Sequence, residues 1–268
     1  MNIISDKHDK PEELTGIYTS NSPYPHIVLN DFINHDLLKK VADEFPALDQ
    51  LPNTKKFKER TSIKLASKGT KDLSPAARNL INYLNSDLFL RYLQKLTGIR
   101  ETLISDPYLF GGGYHEIKKG GYLKVHADYN KHDYFELDRR VNLLLYLNDD
   151  WKEEWGGNLE LYSKDNLTSP AISIPPIFNR CVIFNTTSFA YHGHPDPLDC
   201  PENRSRKSIA LYYYTLGRPA NEIKDKHNTL YVGVKDEKFK FMFKQKLVDI
   251  IKDICPPILL RLVKKNVS

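Results

Sequence analysis

From Asp106 onward, apolar and polar residues alternate in short runs separated by Gly, Pro, Asn and Asp. A period of two predicts β-strands with one buried face. The eight runs lie near Tyr108–Ile117, Tyr122–Asp128, Arg140–Leu147, Asn158–Tyr162, Ala171–Ile174, Arg180–Asn185, Ser188–His192 and Lys207–Thr215, a number that suits a jelly roll of antiparallel strands. Upstream the period becomes helical. Asn34 is placed to cap a helix from His35 to about Phe45 that Pro46 stops. A second helix is predicted from about Pro75 to Leu96, with Gly98 just past its end. Tyr24 to Phe32 reads as a short strand, Asn53 to Lys71 as a polar, lysine-rich stretch, and Met1 to about Ser22, without periodicity, as a flexible leader. The expected organisation is a leader over 1–22, a mainly β domain over 23–218 with helical support in 23–105 and a β core in 106–218, and a basic, apolar helical extension over 219–268. That extension is richest from Glu237 to Val263, broken by Pro256-Pro257. It can pack as a helix on the domain, form a dimer contact, or lie on a membrane surface as a peripheral contact.

Composition narrows the class. With 268 residues, 40% of them hydrophobic and 11% aromatic, the chain can bury the core of one large domain with extensions. The formal charge of +5 comes from Lys and Arg interspersed with Asp and Glu, the pattern of an ordinary solvated surface, and no nucleic-acid partner is expected. Cys181, Cys200 and Cys255 form no CxxC pair, which argues against a disulfide framework or a zinc knuckle and fits a reducing, cytoplasmic setting. The first thirteen residues hold no apolar signal core, and no run approaches the roughly 18 apolar residues of a spanning helix. Oligomeric state is left open.

The candidate chemistry starts at Gly120-Gly121-Tyr122-Leu123-Lys124-Val125-His126-Ala127-Asp128. Side chains two apart in a strand share a face, so His126 and Asp128 present an imidazole and a carboxylate together. One further imidazole would complete the two-histidine, one-carboxylate face that holds non-haem Fe(II) with positions left open. Ser188-Phe189-Ala190-Tyr191-His192-Gly193-His194 follows an apolar strand and offers it; spacing alone does not choose between His192, 66 residues beyond His126, and His194. Fourteen residues past His192, Arg206 opens an otherwise apolar strand and needs an anionic partner. Its guanidinium fork grips a carboxylate through two parallel hydrogen bonds, and Ser208 on the same face can add a hydroxyl.

The order His126-x-Asp128, Gly156-Gly157-x-Leu159-x-Leu161, His192, Arg206-x-Ser208 resembles the 2-oxoglutarate and Fe(II)-dependent dioxygenases, in the branch similar to the prolyl 4-hydroxylase catalytic domain. The resemblance runs from about Ser22 to Arg218. It implies a double-stranded β-helix, a cupin-like jelly roll, with His126, Asp128 and His192 as catalytic metal ligands. His192 is favoured over His194 because the distal ligand opens a His-Gly or His-Arg pair. It also implies Arg206 as the residue binding the far carboxylate of 2-oxoglutarate, although prolyl 4-hydroxylases more often use a lysine nearer the distal histidine; Arg204 and Lys207 are weaker alternatives. Ser208, Tyr114, Tyr122, Asn142 and Tyr146 fall at positions that resemble the lining of the co-substrate pocket.

The activity implied is hydroxylation of an unactivated C–H bond with Fe(II), 2-oxoglutarate and O2, releasing succinate and CO2. The intact carboxylate at Asp128 favours hydroxylation over halogenation, which in relatives uses a small residue there. A peptidyl prolyl residue is the first expectation for the substrate, and a small metabolite or saccharide precursor the alternative. A cupin-like binding module without turnover is a different class of answer. Tyr129, His132, Tyr134, Phe135 and Trp155, in turns beside the expected strand ends, are placed as rim residues that choose the substrate.

Overall fold

The computed structural model describes residues 2–232. The expected extension from Glu237 to Val263, and Cys255, lie outside the described residues. Helices α1 (Pro11–Ser20), α2 (His35–Asp43), α3 (Pro75–Leu84) and α4 (Asp87–Thr97) precede most of the strands. Asn34 caps α2 as its position predicts, its side chain accepting from the Leu37 N–H. The single helix expected over 75–96 is two, because Asn85-Ser86 interrupts it and Ser86 caps α4, accepting from the Phe89 N–H.

The expected flexible leader is corrected. Residues 11–20 form α1, with Pro11 pre-set at its first turn, and Tyr18 is fully buried. The Tyr18 hydroxyl donates to Asn185 Oδ1 at 2.6 Å, and the Thr15 hydroxyl donates to the Lys95 carbonyl of α4. A helix this short shows little period in the sequence; its order comes from tertiary contacts.

The strands are β1 (His26–Leu29), β2 (Lys55–Lys58), β3 (Ser62–Ala66), β4 (Ile104–Ser105), β5 (Gly113–Lys118), β6 (Tyr122–Ala127), β7 (Asp138–Tyr146), β8 (Leu159–Tyr162), β9 (Ile172–Ile174), β10 (Cys181–Asn185), β11 (Tyr191–His194) and β12 (Ser205–Thr215). Their hydrogen-bonded order is β1-β10-β7-β12-β5-β3-β6-β11-β8-β9, all antiparallel. This is the double-stranded β-helix. A broad sheet from β1 to β5 and a narrower one from β6 to β9 are joined by β3, which pairs with β5 through Leu65–Ala66 and with β6 through Ser62–Ile63. The lysine-rich stretch is therefore a β2–β3 hairpin, one that its charge pattern conceals.

Strand alternation divides the broad sheet cleanly. Val141, Leu143 and Leu145 of β7, Cys181 and Ile183 of β10, and Ile209, Leu211 and Tyr213 of β12 pack with the helices in one apolar core. The residues between them, Asn142 and Tyr146 on β7 and Arg206, Ser208 and Tyr212 on β12, face the other way, into the space enclosed by the two sheets. On these stretches of β7 and β12 the buried polar side chains thereby gather on the inner face.

A bulge aims the narrow sheet. His192 pairs with His126, yet His194, two residues on, pairs with Leu123, three residues back, so β6 carries one extra residue. Gly193 permits this approach. A Cβ there would stand 2.9 Å from the Leu123 carbonyl oxygen and 3.1 Å from that of Lys124. Gly193→Ala is expected to cost about 1–3 kcal/mol by overpacking rigid backbone and to spread the two histidine-bearing strands. Urea unfolding read beside Mn(II) affinity checks this; an alanine variant unchanged in both would show that the close approach is not needed.

Candidate metal centre

His126 stands on β6, Asp128 just past its end, and His192 opposite His126 on β11. Each imidazole is fixed from behind: His126 Nδ1 lies 2.8 Å from the Lys124 carbonyl and His192 Nδ1 3.0 Å from the Ala190 carbonyl. A carbonyl can only accept, so each ring carries its proton on Nδ1 and turns Nε2 inward. The two Nε2 atoms lie 3.5 Å from Asp128 Oδ1 and Oδ2 respectively, and one ligand atom from each of the three residues falls within 4.8 Å of the others. Two imidazole nitrogens and a carboxylate oxygen on one side of a space open on the other fit a facial Fe(II) site. Among the described residues this is the one group of its kind.

The carboxylate is held in turn. Asp128 Oδ2 accepts from Arg139 Nη2 at 2.9 Å and from Asn142 Nδ2 at 2.7 Å, and Arg139 Nε donates to Asn142 Oδ1 at 2.9 Å. Arg139 is 1% exposed and lies against the rings of Tyr212 and Tyr129, at 3.5 and 4.4 Å from their centroids. Burial by itself would raise the Asp128 carboxyl, but the Arg139 guanidinium, with the two imidazoles, holds it well below the usual carboxylate range. Burial, then the neighbouring His126, pulls His192 down to about 4. The triad thus presents an ionised carboxylate beside a neutral His192 ring, the protonation a metal requires.

Arg206 reaches the same interior from β12. It is 5% exposed, its Nε donates to the Gly157 carbonyl at 2.7 Å and its Nη2 to the Tyr146 hydroxyl at 3.1 Å. Gly157, at φ +75°, leaves no room for a side chain: a Cβ would meet Leu198 Cδ2 at 2.5 Å and Arg206 Cδ at 3.1 Å. Ser208 is buried on the same face two residues on.

Of the remaining expected pocket residues, Asn142 and Tyr146 do face the interior, but Asn142 serves Asp128. Tyr114 is corrected: it lies on the opposite face of β5, in the core under the helices, with its hydroxyl 3.1 Å from Ser74 Oγ and its ring against Phe45. Tyr122 is also corrected, because the β6 bulge turns it outward, where its hydroxyl donates to the Glu59 and Arg60 carbonyls. His194 does not join the triad. It is buried near Arg206 and Lys64, and neither of its ring nitrogens has a hydrogen-bond partner. At the rim, Phe110, Tyr129, His132, Tyr134 and Phe135 make consecutive ring contacts, with Tyr134 76% and Phe135 52% exposed. Trp155 packs instead on Trp151.

Sequence reasoning passed over Arg139, Lys64 and His115. Arg139 is the second residue of β7 and the first of an Arg-Arg pair behind a charged turn, where it looks like surface; its one signal is a charge leading into an otherwise apolar run.

Fold and site together give a jelly roll whose inner wall carries a facial set of metal-competent ligands. Residues 112–214, the stretch that carries His126, Asp128, His192 and Arg206, match the model of the 2OG-Fe(II) oxygenase superfamily. A prolyl 3-hydroxylase OGFOD1 of Xenopus laevis is 26% identical over 207 residues, covering 74% of this chain and 36% of that protein. The match thus spans about a third of the length of this relative. The crystal structure of a Pseudomonas putida prolyl-4-hydroxylase superposes with a TM-score of 0.54 at 16% identity, covering 76% of this chain and 98% of that one. A Trichoplax adhaerens prolyl hydroxylase in complex with a hypoxia inducible factor peptide fragment gives a TM-score of 0.55 at 19% identity, covering 78% and 91%.

Two predictions concern this centre. Asn142→Ala removes a hydrogen bond that orients Asp128 and is expected to weaken Mn(II) binding by about 10–100-fold with the fold retained, as read by electron paramagnetic resonance titration. Acid sensitivity is the second. Burial, then the charge of Lys64, pulls His115 down to about 3. Its unfolded form titrates near the ordinary imidazole value of about 6.5, so between these limits the unfolded chain binds the extra proton. The stability this gives is present above about pH 6.5 and lost as pH falls toward 3, and His115→Asn should flatten that slope in urea midpoints measured across the window.

Proposed function

We propose that this protein is an Fe(II)- and 2-oxoglutarate-dependent hydroxylase acting on an unactivated C–H bond, with a prolyl residue in a polypeptide as the first substrate reading. The observation that carries it is the placement of Arg206, with Tyr146 on its fork, on the inner wall that also carries the Asn142 support of the His126, Asp128 and His192 face. When bound, the iron supplies dioxygen activation coupled to oxidative decarboxylation of 2-oxoglutarate, giving succinate and CO2.

The chain's own groups hold and orient. His126, Asp128 and His192 would occupy one side of the metal and leave the side facing the interior to small ligands. Arg206 would take the far carboxylate, its fork pre-aimed because Gly157 and Tyr146 fix two of its five donors. The Tyr146 hydroxyl accepts from Arg206 and keeps its own proton to give to the same carboxylate. Val182, Phe184, Leu159 and Leu161 pack between the sheets and keep that part of the interior dry. The aromatic rim from Phe110 to Phe135 offers flat apolar faces that suit a pyrrolidine ring. The prolyl hydroxylase names among the relatives support the same substrate class. Cys181 and Cys200 are buried free thiols, which supports a cytoplasmic setting.

Arg206→Ala is expected to raise the KM for 2-oxoglutarate by about 10–100-fold, the worth of losing charge-assisted hydrogen bonds of roughly 1.5–3 kcal/mol, while Fe(II) affinity is little changed. Succinate release over prolyl peptides, free amino acids and sugar nucleotides tests activity and substrate together. No 2-oxoglutarate consumption with any of them, and none uncoupled, would point to a binding module instead.

A further inference from the structure

One cation in the interior has no task in this scheme. Lys64 lies on β3, whose register sets Ala66 against His115 and Leu65 against Glu116 of β5. One further step along the same ladder brings Lys64 level with Ile117, and Ile117 pairs on its other side with Arg206 of β12. Lys64 and Arg206 thus belong to one row on one face, two strand spacings or roughly 10 Å apart at the backbone. The register places the lysine on the inner face with Arg206, and the charges that act on it are those of Asp128, Arg139, Arg206 and Lys55. Burial, and then the two arginines against Asp128, pulls its ammonium down to about 8.

Its side chain has no counterion. Among the described residues no carboxylate or carbonyl bonds Lys64 Nζ, and its one recorded contact is the Phe57 ring of β2, 5.2 Å away. Lys64 is half-buried, and an ammonium partly withdrawn from water without an anion is costly. Among the described residues, the charges that act on Lys64 are the cations Arg139, Arg206 and Lys55 against the one carboxylate of Asp128. A divalent metal and a dianionic 2-oxo acid cancel each other, so loading both leaves the excess in place. The hairpin that carries Lys64, with the loop after it, is basic: positions 55–71 contain seven Lys or Arg and a single Glu. A basic hairpin alone is usually a solvated face, but here one of its lysines turns into the cavity that the hairpin borders.

We propose that Lys64 is an anion-binding residue of the catalytic cavity and that the primary substrate carries a carboxylate or phosphate group within its reach. This rests on the Fe(II) and 2-oxoglutarate reading above. It narrows the substrate to acidic molecules, in which the acid group anchors the substrate while a neighbouring C–H bond meets the metal. The basic hairpin would draw such a substrate to the opening.

The test uses the full chain loaded with Mn(II) and saturated with N-oxalylglycine, a non-reacting analogue of the 2-oxo diacid, and titrates inorganic phosphate while recording 31P relaxation. Saturable enhancement is expected, with affinity falling about tenfold or more in Lys64→Met, as for loss of a charge-assisted hydrogen bond, and recovered in Lys64→Arg. N-oxalylglycine affinity should be unchanged across the three proteins. Thermal unfolding of Lys64→Met checks the fold; removing an unpaired buried cation should not lower stability. No saturable phosphate binding in the wild type, or equal binding in Lys64→Met, overturns the proposal. So does a Lys64→Met defect in N-oxalylglycine binding alone, which would give Lys64 to the co-substrate. Failure of N-oxalylglycine to bind the wild type strikes the co-substrate reading separately, and phosphate titration of the Mn(II)-loaded protein then still judges Lys64.

Discussion

The Asp128 carboxylate is the point on which the interior depends, and it exists as a charge because Arg139 is buried beside it. Removing water from a carboxylate alone would neutralise it, and a protonated acid is a poor metal ligand. The guanidinium at 2.9 Å reverses that balance, and the price is a second buried charge that must itself be accommodated. The faces of Tyr129 and Tyr212 and the Asn142 amide accommodate it. Losing either charge would strand the other, a cost of about 3–5 kcal/mol for buried pairs in general. The centre is therefore a unit of candidate metal ligands and supporting residues drawn from β6, β7, β11 and β12 and the turn after β6.

Bringing those strands together is the work of curvature. β3 ties the broad sheet to the narrow one, and the extra residue in β6 rotates its later side chains so that His126 faces inward while Tyr122 does not. Gly193 and Gly157 let backbone and the Arg206 stem approach where a side chain would intrude. The helices need only cover the outer face of the broad sheet, which is why that face is almost wholly apolar and the inner one is not.

How much of this could be read from the chain follows the same division. Most strands of the β core, the α2 cap and the His126–Asp128 pair were legible because each leaves a local mark: a period of two, an Asn before an apolar run, a His-x-Asp motif; His192 was set apart from His194 only by the family resemblance. Arg206 was legible as a charge opening an apolar strand. Tyr114 and Tyr122 were misplaced because their facing depends on strand register and on a one-residue bulge, and neither alters local composition. The α1 helix was hidden by its short length, and the β2–β3 hairpin by its lysines, which are as common in solvated loops as on exposed strands. Arg139 and Lys64 look like surface in the sequence and become interior only when distant strands close over them.

The balance of charge connects the two halves of the functional reading. Arg139 is spent on Asp128, and Arg206 is committed through Gly157 and Tyr146 to a fixed fork suited to one end of a diacid. Lys64 differs from both in having no hydrogen-bonded support among the described residues, which leaves its flexible stem free to follow a ligand rather than to hold a set geometry. A rigid fork suits a co-substrate that every turnover must present identically. A mobile point charge suits a substrate whose acid group arrives from the rim, and its placement on the basic hairpin bordering the cavity is consistent with that division of labour.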